Sequence, residues 1–197
     1  LISLLEKGDH LISITPTYQQ MYSFPESFGV ETSLVELKEE NDWLPDLDDF
    51  KRVIKDNTKM ICLVNPNNPT GTMFSKGFLM RLIEIAKVHG LYILCDEVYQ
   101  GLSDDEVSIS DLYDLGITTS SLSKITSYAG LRIGWIKANH EIIEMINERR
   151  DYHIISTGYI NDYLATIVVE NYDKILTRSR KIIKTNRQIL IDWLENE

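Results

Sequence analysis

The sequence predicts an α/β fold of three layers, α/β/α, with a mainly parallel sheet covered by helices on both faces. Three observations carry this. The runs Met60–Val64 and Leu91–Cys95 are apolar throughout, as strands buried on both faces must be. Between them, Ser75–His89 places Phe78, Leu82, Ile85 and Ala86 on one helical face and stops at Gly90. With 43% hydrophobic positions, the 197 residues can close one sizeable core.

The remaining elements follow in order. Leu1–Lys7 reads as a helix tail ended by Gly8, and His10–Thr15 as an apolar strand running into Pro16. Thr17–Phe28 is helical in pattern but interrupted by Pro25, and Glu31–Leu37 is the next strand. After the loop Asn41–Pro45, Asp46 caps a helix that runs to Ile54. Beyond Cys95 come a short helix (Ser108–Leu115) and strands at Ile117–Leu122 and Arg132–Lys137. Asn139 caps the helix His140–Arg150. The last segment, Tyr172–Leu194, is a long amphipathic helix with Ile175, Leu176, Ile182, Ile189 and Trp193 in step. Residues 1–170 are thus expected to form one domain, and 171–197 a helix leading towards another. The chain opens without Met and ends in a helix without a stop signal, so the fold is expected to be incomplete at both ends.

A net charge of −10 and a pI near 4.9 argue against a nucleic-acid partner. The one basic cluster, Arg178, Arg180, Lys181 and Lys184, reads as a solvated helix face. Cys62 and Cys95 both fall inside apolar strands, which favours free thiols and a cytoplasmic setting. No segment approaches a membrane-spanning length, so no membrane partner is expected.

Chemistry concentrates in four short stretches. Lys124 lies in Ser121-Leu122-Ser123-Lys124, directly after a strand, where open α/β sheets bind ligands. A lone lysine is usually a surface charge; this one offers an amine for a Schiff base. Asp96 emerges after Leu91–Cys95, either as a cap or as a carboxylate that keeps a pyridine nitrogen protonated. Tyr99, three residues on, carries a phenol that can bond a ring oxygen. Asn65-Pro66-Asn67-Asn68-Pro69-Thr70-Gly71 is a rigid turn that can present the Asn68 amide. Ser121, Ser123 and Arg132 suit a phosphate, although Arg132 can equally pair with a surface acid. Tyr18 can stack on a ring or simply pack. No metal-ligand spacing is present. Taken together, this is the inventory for pyridoxal 5'-phosphate (PLP).

With these motifs the chain resembles the class I/II aminotransferases, PLP-dependent enzymes of fold type I. The resemblance runs from Gly8-Asp9 through Pro16-Thr17-Tyr18, Asn65–Gly71 and Asp96–Tyr99 to Ser121–Gly134. It implies a PLP-binding large domain whose family sheet has seven strands, one of them expected before Leu1, so that the antiparallel Arg132–Lys137 is left as an exposed edge. It implies that Lys124 forms the Schiff base and moves the proton, and that Asp96 holds the pyridinium. Asn68 and Tyr99 would bond the ring oxygen, Tyr18 would stack on the ring, and Ser121, Ser123 and Arg132 would hold the phosphate. Cis peptides are expected before Pro69 and Pro16. Tyr128 stands where the family commonly has an aliphatic residue or Phe. The family's first phosphate loop would fall before Leu1 and its substrate-carboxylate arginine beyond Glu197; Arg149, Arg150, Arg178, Arg180 and Arg187 are in the wrong region to replace it.

The activity so implied is amino-group transfer between an amino acid and a 2-oxo acid, by a homodimer. Lys124 would remove the α-proton as general base, with the electrons drawn into the pyridinium held by Asp96. Two other reactions fit the same residues, cyclisation or oxidation of arginine-type amino acids and carbon–sulfur elimination. A third reading is an inactive large-domain fragment that only binds PLP or associates. The 197-residue chain by itself is expected not to turn over substrate.

Overall fold

Six strands form one sheet in the computed structural model, which describes residues 1–103 and 105–196. They are β1 (His10–Thr15), β2 (Glu31–Glu36), β3 (Thr58–Val64), β4 (Tyr92–Asp96), β5 (Gly116–Ser121) and β6 (Gly134–Lys137), in the spatial order β2-β1-β3-β4-β5-β6. The first five are mutually parallel, and the β5–β6 pair is antiparallel. β6 is an edge, and its Trp135 and Ile136 are exposed.

The pleat divides the core in two. On one face Ile61, Leu63, Ile93 and Cys95 meet Phe50 of α2 (Leu47–Val53) and Phe78, Leu82 and Ala86 of α3 (Lys76–His89). On the other, Met60, Cys62, Val64 and Leu94 pack with Leu5, Met21 and Ile142, the last from α5 (His140–Arg150). The expected caps form: Asp46 accepts from the Asp48 amide, Ser75 from Phe78 and Asn139 from Ile142. Gly90 ends α3 in the left-handed region, at φ 63°.

Three sequence expectations are corrected. Leu1–Lys7 is not a helix but a turn closed by the Leu5 amide on the Leu1 carbonyl (3.0 Å), since so short a segment gains too few bonds to offset nucleation. Thr17–Phe28 breaks into a 3-10 turn (Gln19–Met21) and α1 (Ser23–Ser27), which places Pro25 in a first turn, where a missing N–H costs little. Arg132 does not begin a strand. It caps the 3-10 turn Ala129–Leu131 at φ 54°, and β6 starts only at Gly134. The sequence reading also left unassigned α6 (Tyr159–Glu170), whose cap is Gly158 and whose apolar residues spread around much of its surface.

Two compact units make up the chain. Leu1–Glu97, Asp105–Ser120 and Trp135–Ser156 form the first, which holds both faces of the core just described. The described residues within 98–104, 121–134 and 157–197 form the second. Its core is Leu122, Ala165 and Val168, flanked by Leu131, Ile133 and Ile175. It includes α6 and α7 (Tyr172–Glu195), and along α7 Ile189, Leu190 and Trp193 remain exposed. No helix among the described residues is long and apolar enough to cross a membrane.

His10 ties three strands together at the base of the sheet. Its Nδ1 lies 2.7 Å from Thr58 Oγ1 and its Nε2 2.9 Å from Ser33 Oγ. The same Thr58 oxygen also accepts from the Lys55 amide (2.7 Å), and either tautomer of the ring satisfies both of its contacts. Burial, then the nearby Lys55 ammonium, hold the ring pKa below its ordinary 6.5, against the pull of Glu31. The unfolded chain therefore binds this proton first, and stability is lost as pH falls below about 6.5 and on through the folded value. The urea midpoint is expected to drop over that window in the wild type, with a shallower slope in His10→Gln. Equal slopes would show that His10 does not contribute.

Candidate active site

In the first unit the candidate residues sit on loops that leave the C-terminal ends of parallel strands. The loop after β3 contains cis bonds at Asn65–Pro66 and Asn68–Pro69, and the one after β1 a cis bond at Thr15–Pro16. Those before Pro16 and Pro69 match expectation; that before Pro66 adds to it. Asn65 is buried, donates its amide N–H to the Asp96 carbonyl (2.9 Å) and accepts from the Phe74 amide at Oδ1 (2.8 Å). Asn67, also buried, accepts from the Thr17 hydroxyl (2.9 Å) and donates to the Pro16 carbonyl (3.1 Å) and Thr70 Oγ1 (2.9 Å). These two amides fasten the loops together. Half-buried Asn68 follows Asn67 directly, and exposed Tyr18 follows Thr17. Asn65, Asn67 and Thr17 were not singled out from sequence. The signal was the repeated Asn-Pro step, which does not say which Asn faces inward.

Asp96 is the last residue of β4, in register with Val64 on β3 and Thr119 on β5, and is half-buried. Glu97 follows it on the opposite side of the pleat and is almost wholly buried. It accepts the Ile109 amide (2.8 Å), the first residue of α4 (Ile109–Leu112), and hydrogen bonds from Ser108 and Thr118. Burial nevertheless pushes its pKa above the usual carboxylate range. Sequence reading missed Glu97 too, because adjacent carboxylates look alike until the pleat separates them. Neither cysteine is a nucleophile: both are buried, and the Cys62 thiol is pushed up to about 12.

In the second unit Lys124 stands on a tight turn after β5. The Ser123 amide donates to Ser121 Oγ (3.2 Å), Ser127 to the Lys124 carbonyl (3.0 Å) and Tyr128 to the Leu122 carbonyl (2.9 Å). Thr126 Oγ1 donates back to the Leu122 carbonyl, and the Leu122 amide reaches the Ile133 carbonyl (3.1 Å). Leu122, Ile125 and Thr126 point inward and are buried, while Lys124 is exposed. Its Nζ lies 5.8 Å from the centroid of the Tyr99 ring. Arg132 is exposed as well, and its Nη1 donates to the Ala129 carbonyl (3.0 Å). Arg180 departs from the expectation of a solvated basic face: it is partly buried and donates to the Gly101 and Ser103 carbonyls.

The donor set suits PLP. In the second unit it contains an exposed primary amine on a fixed turn, a phenol beside the amine, and hydroxyls and a guanidinium; the first unit, by itself, offers a strand-end carboxylate.

The family model of aminotransferase class I and II matches residues 1–197. The glutamate-pyruvate aminotransferase AlaA of Escherichia coli is 38% identical over 143 residues, covering 70% of this chain and 35% of its own length. A capreomycidine synthase of Streptomyces vinaceus is 25% identical over 188 residues, covering 94% and 48%. Among solved structures, a PLP-dependent aminotransferase from Streptococcus suis superposes with a TM-score of 0.96 at 47% identity, covering 100% of this chain and 53% of that one. The Thermus thermophilus aspartate aminotransferase with maleate gives 0.87 at 25% identity, covering 98% and 52%. The chain thus spans between about a third and about half the length of these relatives.

Proposed function

Because the chain belongs to the class I and II aminotransferases, we propose that it carries the PLP-holding part of an enzyme that moves an amino group between an amino acid and a 2-oxo acid. The observation that carries the reading is Lys124, exposed on a turn whose other members are anchored, with its amine over the Tyr99 ring.

Bound PLP supplies an electron sink for the bond broken at the substrate α-carbon. Lys124 would hold the cofactor through its amine, and the same amine would take and return the substrate α-proton. The Asp96 carboxylate keeps the pyridine nitrogen protonated. Asn68 and Tyr99 bond the ring oxygen, and Tyr18 covers the ring face. Ser121, Ser123 and Arg132 hold the phosphate. The likeness to a glutamate-pyruvate aminotransferase favours glutamate and pyruvate as first substrates to try. A homodimer in the cytoplasm is part of the same reading.

The likeness to a capreomycidine synthase along 94% of the chain favours a second reading, in which the same residues serve another PLP reaction. Product analysis separates the two. Amino acids are offered one at a time to the PLP-loaded whole protein, and products are identified by mass spectrometry. A 2-oxo acid with the donor's carbon skeleton, and an amino group passed to pyruvate, supports transamination. Cyclised or eliminated products overturn it in favour of the second reading.

A further inference from the structure

Arg180 belongs to a basic run on α7 whose other members, Arg178, Lys181 and Lys184, are exposed. Its guanidinium turns away from them. Nε donates to the Gly101 carbonyl at 2.6 Å, and Nη2 to the Ser103 carbonyl at 3.3 Å. A planar fork is the side chain that can serve two neighbouring carbonyls at once.

Leu176, one turn earlier on α7, faces the same segment. A Cβ at Gly101 would come within 2.8 Å of Ile125 Cδ1 and 3.1 Å of Leu176 Cδ1. Gly101 also has φ +107°, a region L side chains rarely adopt. Conformation is therefore what calls for glycine here, and the Ile125 and Leu176 methyls fill the space a side chain would take. Its absent side chain is what lets the loop, α7 and the lysine turn meet.

The two sides of this contact are also the two sides of the candidate chemistry. Gly101 lies two residues after Tyr99, and Ile125 one residue after Lys124. Tyr99 and Lys124 are the pair whose ring and amine face each other at 5.8 Å.

We propose that Arg180 is a positioning residue: by pinning the Gly101–Ser103 carbonyls to α7, it holds the Tyr99 ring beneath the Lys124 amine. Any tilt of α7 is then transmitted to that pair through Arg180 and Leu176. The role assigned to the pair rests on the PLP reading above, but the geometry is measurable without cofactor.

The test uses the full chain with 13C-labelled lysine. The Lys124 side-chain signal is assigned with Lys124→Arg, and its ring-current shift is defined as the part lost in Tyr99→Leu. Arg180→Ala is expected to abolish that shift and to weaken PLP capture by Lys124 at least tenfold. If Arg180→Ala does not fold, Arg180→Lys, which keeps charge and stem but not the fork, carries the same expectation. A folded variant with an unchanged ring-current shift overturns the proposal, as does a lost shift with undiminished capture. Wild-type protein with the shift intact but no capture overturns the PLP reading instead, and leaves the Arg180 geometry standing.

Discussion

Lys124→Ala is expected to abolish covalent capture of PLP. The wild-type chain, mixed with stoichiometric PLP and reduced with borohydride, should gain one pyridoxyl group on the peptide containing Ser121–Ser127. Other lysines are primary amines too, so the distinction must come from placement. Lys124 is held on a turn closed by the Ser123, Ser127 and Tyr128 amides, with buried Leu122, Ile125 and Thr126 fixing its base. An amine fixed beside groups that bind the rest of an aldehyde gains effective concentration over one on a mobile surface side chain by at least about a hundredfold. Removing it should lower total labelling by a factor of that order, leaving low, scattered modification. Lys124→Arg should behave like Lys124→Ala, since a guanidinium stays protonated and does not attack a carbonyl. If the alanine variant is labelled as fully as wild type, on any other lysine, the assignment of Lys124 is wrong.

That prediction was available from sequence because Lys124 and its neighbours form a contiguous pattern; its supports were not. Met60–Val64 and Leu91–Cys95 announce themselves as buried strands, since an apolar run of that length has few other uses. Ser75, Asp46 and Asn139 declare helix starts because a cap is a local bond. Arg132 was misplaced because a left-handed residue other than glycine leaves no local mark. Arg180 was read as solvated because its partners are backbone carbonyls almost eighty residues away. Asn65, Asn67 and Glu97 are in the same class. Each is polar and buried through distant contacts, and nothing in the neighbouring residues distinguishes it from an exposed counterpart. Local chemistry was legible; long-range satisfaction of buried polar groups was not.

Gly116→Ala is expected to be the most damaging small substitution in the first unit. An added Cβ would sit 2.5 Å from the Ile109 carbonyl oxygen and 2.8 Å from that of Tyr113, both backbone atoms that cannot swing aside. Those carbonyls belong to a close turn: Tyr113 N–H donates to Ile109 (3.1 Å), and Gly116 N–H to Tyr113 (2.8 Å). Relieving the clash moves α4 away from β5, and the Ile109 amide then withdraws from Glu97 Oε1. Overpacking costs about 1–3 kcal/mol, and leaving a buried polar group without its partner about 1–3 kcal/mol more. A loss of about 3 kcal/mol corresponds to roughly a hundredfold shift in the folding equilibrium. The coupling to Glu97 gives the effect a signature. Because burial raises the Glu97 pKa, its contribution to stability is fullest below the unfolded value and declines as pH rises through the folded one. Glu97→Gln, which keeps an oxygen for Ile109 and carries no charge, should flatten that decline. In the Gly116→Ala background, where the Ile109 bond is already strained, the same change should have a different effect, with a coupling of at least about 0.5 kcal/mol. Urea unfolding of the four proteins at pH 5 and pH 8 measures both. A Gly116→Ala midpoint equal to wild type, or strict additivity with Glu97→Gln, would show that α4 is not seated as described.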